Sequence, residues 1–183
     1  SQVTLPMMRR GGYFRYYRGP GFQAISLPYG RERVSMYIFL PDKGSSLDAF
    51  RQGLSAGSWE QWLGQLTQEQ GSLTLPRFQL EYGAELSRAL TALGMGIAFD
   101  QDRADLHGMI DTAQPVWIGA VNHKTFLAVT EAAGATSVEI RAGAAPGKPF
   151  EMVVDRPFFC AIRDNETGAL LFLGAIVDPQ PVS

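Results

Sequence analysis

A single cysteine among 183 residues, Cys160, excludes an internal disulfide framework, so packing rather than cross-linking must hold this chain together. Its position inside the apolar run Phe159-Cys-Ala161 reads as a buried, inert thiol. The two histidines, His107 and His123, lie in different segments, with no cysteine or second histidine at ligand spacing, so a metal site is not expected. Asp102, Asp105 and Asp111 cluster loosely but lack the glycine and ligand spacing of a calcium loop. Neither sign of charge predominates: 16 basic and 18 acidic residues leave a net charge of −2. Without a basic face, neither nucleic acid nor a membrane surface is an expected partner. No apolar run approaches the ~20 residues of a membrane-crossing helix. The start, Ser1-Gln-Val-Thr-Leu-Pro6, lacks the basic and then apolar order of a secretion leader.

Catalytic patterns are missing too. There is no Gly-x-Ser-x-Gly elbow and no Gly-x-x-x-x-Gly-Lys-Ser/Thr loop, which removes sequence support for acyl hydrolysis and phosphate binding. An enzyme is not expected, and no cofactor is implied.

What is present is material for a core: 45% hydrophobic and 11% aromatic residues. Tyr13 to Tyr17, punctuated by Gly11, Gly12, Gly19 and Gly21, predicts a short hairpin. Phe22–Tyr29 and Val34–Pro41 predict a strand pair across Gly30-Arg-Glu-Arg33, the second member buried. Ser46 and Ser58 are candidate caps of two short amphipathic helices, the second carrying Trp59, Trp62, Leu63 and Leu66. Ser72–Tyr82 alternates as one strand bent at Pro76. Leu86, Ala89, Leu90 and Leu93 mark a helix stopped by Gly94 and Gly96, and Asp100–Asp111 reads as irregular. Val116–Thr130 predicts the longest strand, interrupted only by Gly119 and Asn122-His-Lys124. The chain closes on strands at Phe150–Val154, Pro157–Ile162 and Ala169–Val177, the last two joined by the turn Asp164–Gly168.

Between the long strand and Phe150, Ala132–Pro149 is rich in alanine, glycine and proline. Side chains this small remove little apolar area from water, so the segment is expected to be an exposed connector. His123 reads either as a core histidine satisfied by one hydrogen bond or as a functional group. Arg77 and Glu131 each stand at a strand end where they can pair, a surface ion pair being the default.

The run Val153-Val-Asp-Arg-Pro-Phe-Phe-Cys-Ala-Ile162 resembles the serpin signature, in which apolar residues flank an Asn/Asp-Arg/Lys-Pro-Phe core. Thr167-Gly-Ala-Leu-Leu-Phe-Leu-Gly-Ala-Ile-Val-Asp-Pro179 is similar to the same family's closing strand. Leu5-Pro-Met-Met8, Leu27-Pro-Tyr29, Ile38-Phe-Leu-Pro41, Leu75-Pro-Arg-Phe78 and Leu93-Gly-Met95 follow in the family's order. The resemblance implies an α+β fold of mixed and antiparallel sheets with short helices and an exposed reactive-centre loop at about 132–149. It also implies that residues 1–183 are the C-terminal portion of a single serpin domain whose N-terminal half lies outside this chain. That missing half is then an expected partner, as is a serine protease of elastase-like or trypsin-like type.

The function implied is suicide-substrate inhibition, in which the cut loop inserts into the central sheet as an added strand. A non-inhibitory serpin, acting as a carrier module or a protease substrate, is the alternative. Within the resemblance the hinge is Glu131, Ala132, Ala133, Gly134, Ala135 and Thr136. The scissile bond falls at Gly143-Ala144, with Arg141 as the alternative, and His123 with Arg77 gates the sheet. The hinge departs from the family in being about four residues short, ~13 Å of strand. The resemblance leans to a secreted or extracytoplasmic setting; the sequence itself fixes no compartment.

Overall fold

The computed structural model describes residues 4–109, 112, 114–130 and 148–182. Its nine strands are β1 (Met7–Gly19), β2 (Phe22–Tyr29), β3 (Val34–Pro41), β4 (Thr67–Pro76), β5 (Phe78–Glu85), β6 (Asn122–Val129), β7 (Phe150–Val153), β8 (Phe158–Asp164) and β9 (Leu170–Ile176). Residues 1–79 with 128–183 make one unit, and 80–127 a second.

In the first unit a seven-stranded sheet has the order β7-β4-β1-β2-β3-β8-β9. Every pairing is antiparallel except β7 on β4, which is parallel. β1 joins the two halves of this sheet because it is long: Met7–Tyr16 pairs with β4, and Arg15–Gly19 pairs with β2. The short hairpin expected at Tyr13–Tyr17 is therefore one continuous strand. Gly11 and Gly12 do not turn the chain but face Ser72 and Gly71 across the ladder, and the turn falls later, where Gly21 takes φ +84°. β2 and β3 have the expected bounds. Their connection holds Arg31 and Glu32 at φ 55° and 68°, a region that side chains with a Cβ seldom enter.

The helices α1 (Leu47–Gln52) and α2 (Ala56–Gly64) cover one face of this sheet. Ser46 caps α1 as expected, its Oγ accepting from the Ala49 N–H at 3.1 Å. The cap of α2 is Ser55 rather than Ser58. Ser58 sits three positions into the helix, where its Oγ accepts from the Ser55 N–H at 2.8 Å while Ser55 Oγ accepts from the Ser58 N–H at 3.1 Å. This reciprocal pair satisfies two backbone donors at once, which a cap at Ser58 would not do. Both helices are too short to persist alone; they stand because Phe50, Trp59 and Leu63 bury against Phe22, Tyr37, Phe39 and Phe159. Each such side chain contributes on the order of 2–3 kcal/mol of burial.

The strand expected over Ser72–Tyr82 is two strands in two sheets. Pro76 has no N–H to continue the ladder, and the next donor, Arg77 N–H, turns to the Pro6 carbonyl at 2.7 Å. β5 and β6, most of whose residues belong to the second unit, form a two-stranded sheet. A short helix α3 (Ser87–Leu90) runs through a wider turn, Thr91–Met95, to a tighter one, Gly96–Phe99, with Gly94 at φ +102°. The long strand expected at Val116–Thr130 becomes regular only from Asn122. Before that its backbone donors go elsewhere: Ile118 N–H to the Ala98 carbonyl at 2.9 Å and Val121 N–H to Ser87 Oγ at 3.1 Å. No described residue between 80 and 127 is buried, and Leu93 and Met109 are each 81% exposed.

Candidate functional site

The connector that the sequence singles out is framed by two flanks of different character. Behind it stands β6, where Asn122, His123, Lys124 and Phe126 are exposed and only Val129, at the end, is buried. Among the described residues β5 is the sole sheet partner of β6. Among the described residues no strand lies along its other edge, the arrangement that accepts an added strand.

Ahead of the connector, β7 is fastened. Gly71 to Thr74 pair in parallel register with Phe150 to Val153, and the Val154 N–H donates to the Thr74 carbonyl at 2.8 Å. The Phe150 ring stacks on Tyr16 at 3.9 Å and meets Phe14 edge-on at 6.0 Å. Gly71 lies beneath that ring: a Cβ there would run into Phe150 Cδ1, so the glycine is what lets ring and strand approach. Met152 and Val154 are wholly buried.

The signature run continues this anchoring. Arg156 Nε donates to the Pro41 carbonyl at 2.8 Å, tying the segment to the end of β3, and its Nη1 donates to Asp155 at 2.7 Å. Phe158 and Phe159 are buried, the second packing on Phe50 at 5.6 Å. Cys160 is fully buried and burial pushes its thiol up to about 12, so it is protonated and inert at neutral pH. None of these residues is arranged for bond making; the signature is a structural brace.

His123 lies on β6 in the second unit, exposed, its Nε2 2.7 Å from Thr125 Oγ1. Arg77 lies in the first unit, half-buried between β4 and β5. Glu131, Ala132, Ala133, Gly134, Ala135, Thr136, Arg141, Gly143 and Ala144 fall outside the described residues. Sequence reasoning overlooked Tyr16, Gly71 and Phe150. Their signal was faint: an aromatic cluster in β1 and a glycine inside an alternating strand, neither of which names its partner.

A cavity of about 680 Å³ opens in the first unit where β1 and β2 part, between Tyr13 and Phe14 on one side and Leu27 and Tyr29 on the other. Val129, the last residue of β6, and Thr130 border it. Among the described residues no group of three or more His, Cys, Asp or Glu side chains is placed to hold a metal ion. No helix of the described residues is long and apolar enough to cross a membrane.

Comparison with known proteins gives one consistent result. The family model described as serpin (serine protease inhibitor) matches residues 1–179. A serpin-like protein of Thermococcus kodakarensis is 36% identical over 97% of this chain and 42% of its own length. Plasminogen activator inhibitor 1 of Mus musculus is 33% identical over 98% of this chain and 46% of its own. The crystal structure of native protease nexin-1 with heparin superposes with a TM-score of 0.77 at 28% identity, covering 96% of this chain and 48% of that one. The chain thus spans about half the length of the relatives it matches.

Proposed function

From the premise that this chain belongs to the serpin family, we propose that the natural protein inhibits serine proteases by suicide-substrate trapping. In this reading residues 1–183 are the C-terminal portion of a single domain, and residues about 132–149 are the bait. The observation that carries it is the contrast between the flanks: β7 is locked to β4 and β1, whereas β6 offers an edge beside which a strand can be added. A protease that cuts the loop frees its N-terminal part from the locked side. That part then inserts beside β6, hinging over Glu131, Ala132, Ala133, Gly134, Ala135 and Thr136, whose mostly small side chains bury at low entropic cost.

The chemistry belongs to the protease. Its serine attacks the scissile carbonyl at Gly143-Ala144 and forms an acyl-enzyme, and the amine of Ala144 leaves with the proton passed on by the enzyme's histidine. Insertion then drags the acylated serine from its histidine and oxyanion donors before water completes the second half-reaction. A small residue ahead of the bond suits an elastase-like pocket; cleavage after Arg141 suits a trypsin-like one with an acidic base. His123 and Arg77 act as gating residues that are repartnered as the strand enters.

A second polypeptide portion, the preceding half of the domain, belongs to this reading. Its support is the second unit, 48 residues long without a buried residue among those described, which leaves Leu93, Ile97 and Phe126 for another surface to cover.

The test is incubation of the intact natural protein with elastase-like and trypsin-like proteases. A complex that survives boiling in detergent is expected, with the released C-terminal fragment beginning at Ala144. Clean cleavage across the panel without any such complex sinks the reading. The cavity between β1 and β2 favours one other function, a non-inhibitory carrier. For a carrier, cutting the loop leaves the melting temperature unchanged, whereas strand insertion raises it.

A further inference from the structure

Asn165-Glu166-Thr167 has the Asn-x-Thr pattern of an N-glycosylation acceptor, with no proline in the middle. The structure commits every polar atom of its carboxamide to other work. Nδ2 donates to the Glu32 carbonyl at 2.6 Å and to Ser35 Oγ at 2.8 Å. Oδ1 accepts from the Tyr37 hydroxyl at 3.0 Å, and the Asn165 backbone N–H donates to the Arg33 carbonyl at 2.7 Å. A primary amide nitrogen carries two hydrogens, and both are engaged.

These bonds join two turns far apart in sequence. One is the β2–β3 turn, with Arg31 and Glu32 in the left-handed region, a strained backbone state that persists only when its surroundings hold it. The other is the β8–β9 turn, where Asp164 accepts from the Glu166 and Thr167 N–H groups at 2.9 and 3.0 Å. Arg33 reaches Asp164 at 3.4 Å and Glu166 at 3.7 Å, closing the clasp from outside.

We propose that Asn165 is an acceptor whose glycosylation and whose native fold exclude each other. Transfer from a lipid-linked pyrophosphate donor forms a bond from Nδ2 to the sugar C1 and breaks the C1–O bond to the pyrophosphate, which departs. One Nδ2 proton passes to the transferase's base. The modified amide keeps one hydrogen, so it can serve the Glu32 carbonyl or Ser35 but not both. The sugar C1 also takes the place of one of those hydrogens, so the ring has to displace the Glu32 carbonyl or Ser35 Oγ from its contact at 2.6 or 2.8 Å. Modification therefore reaches Asn165 only in the unfolded chain and then prevents the two turns from closing. The native protein matures with Asn165 bare, either on a route without the lipid-linked donor or by folding ahead of transfer. This inference is independent of the bait-loop reading.

The full-length chain, native in one arm and unfolded in urea then diluted in another, is treated with a purified single-subunit oligosaccharyltransferase and a lipid-linked oligosaccharide. The enzyme level is one that fully converts a peptide spanning residues 163–170. Peptide mapping by mass spectrometry reads the glycan at Asn165. The native arm is expected to convert at least about tenfold more slowly, since transfer must await opening of the clasp. Converted chain returned to native buffer is expected to be digested by trypsin at least about tenfold faster than mock-treated chain returned in the same way. Equal conversion in the two arms, or a glycan-bearing chain that regains full trypsin resistance, overturns the proposal.

Discussion

Tyr16 and Phe150 lie ring on ring, their centroids 3.9 Å apart and their planes within 5° of parallel. This one contact ties the segment that follows the connector to the strand that opens the chain. With Phe14 at the ring's edge and Gly71 beneath it, Phe150 is held on three sides.

Loosening this clamp is expected to cost stability at the C-terminal flank. Phe150→Ala loses the stack and the edge contact, about 2–4 kcal/mol for a partly buried ring. Gly71→Ala instead drives a methyl into the ring, about 1–3 kcal/mol of overpacking. Urea midpoints at unchanged m-value measure both, and Gly71→Ala combined with Phe150→Ala is expected to cost less than the sum because the second change removes the clash. Strict additivity would show that the glycine answers to something other than the ring.

Within the proposed mechanism the hinge tolerates small residues only. Ala133→Arg places a charge where the inserted strand is to be buried, which is costly unless the charge is paired. Cleavage of the loop should proceed at the unaltered rate while the detergent-stable complex falls and cleaved, uncomplexed protein accumulates. Gel densitometry of the two products reads the partition, and an unchanged partition would argue against insertion through Ala133.

Cys160 provides a probe of global unfolding. Its thiol is buried and pushed up to about 12, so a disulfide reagent at neutral pH is expected to label it only when the sheet opens. The labelling rate should follow urea concentration in parallel with the fluorescence transition. Rapid stoichiometric labelling of the native protein would contradict its burial between β3 and β9.

Ser55 and Ser58 form one capping unit and should behave as one. Ser55→Ala and Ser58→Ala are each expected to cost about 1 kcal/mol, and the double change little more than either. Chemical denaturation of the four proteins of that cycle measures the coupling.

Acid should act on the β8–β9 turn. The backbone N–H of Thr167 does most to hold the Asp164 carboxyl below the usual carboxylate range; burial opposes it, while the Glu166 N–H and the Arg33 guanidinium reinforce it. A carboxyl depressed in the folded state adds stability that is fully present above its unfolded value and is lost as pH falls through the folded one. Asp164→Asn is therefore expected to flatten the decline of stability below about pH 4, read as urea midpoint against pH.

The legible parts of the molecule were those whose causes are local. Phe22–Tyr29 and Val34–Pro41 were bounded correctly because alternation, prolines and the Gly30 turn all act within a few residues. The signature at Val153–Ile162 indicated the family, though not that Arg156 would work by gripping the Pro41 carbonyl. Ser58 was mistaken for a cap because either serine precedes the same apolar stripe, and only the reciprocal bond with Ser55 separates them.

By itself, then, the sequence determined which faces are buried, where most turns fall and that the connector carries side chains too small to anchor it. Tertiary structure alone decided that Pro76 divides two sheets, that residues before Asn122 give their donors to a helical segment, and that Phe150 settles on Tyr16 over Gly71. The reason is physical: periodicity records whether a residue is covered, but partners are chosen by contacts between distant segments, whose energies exist only once the chain has closed on itself.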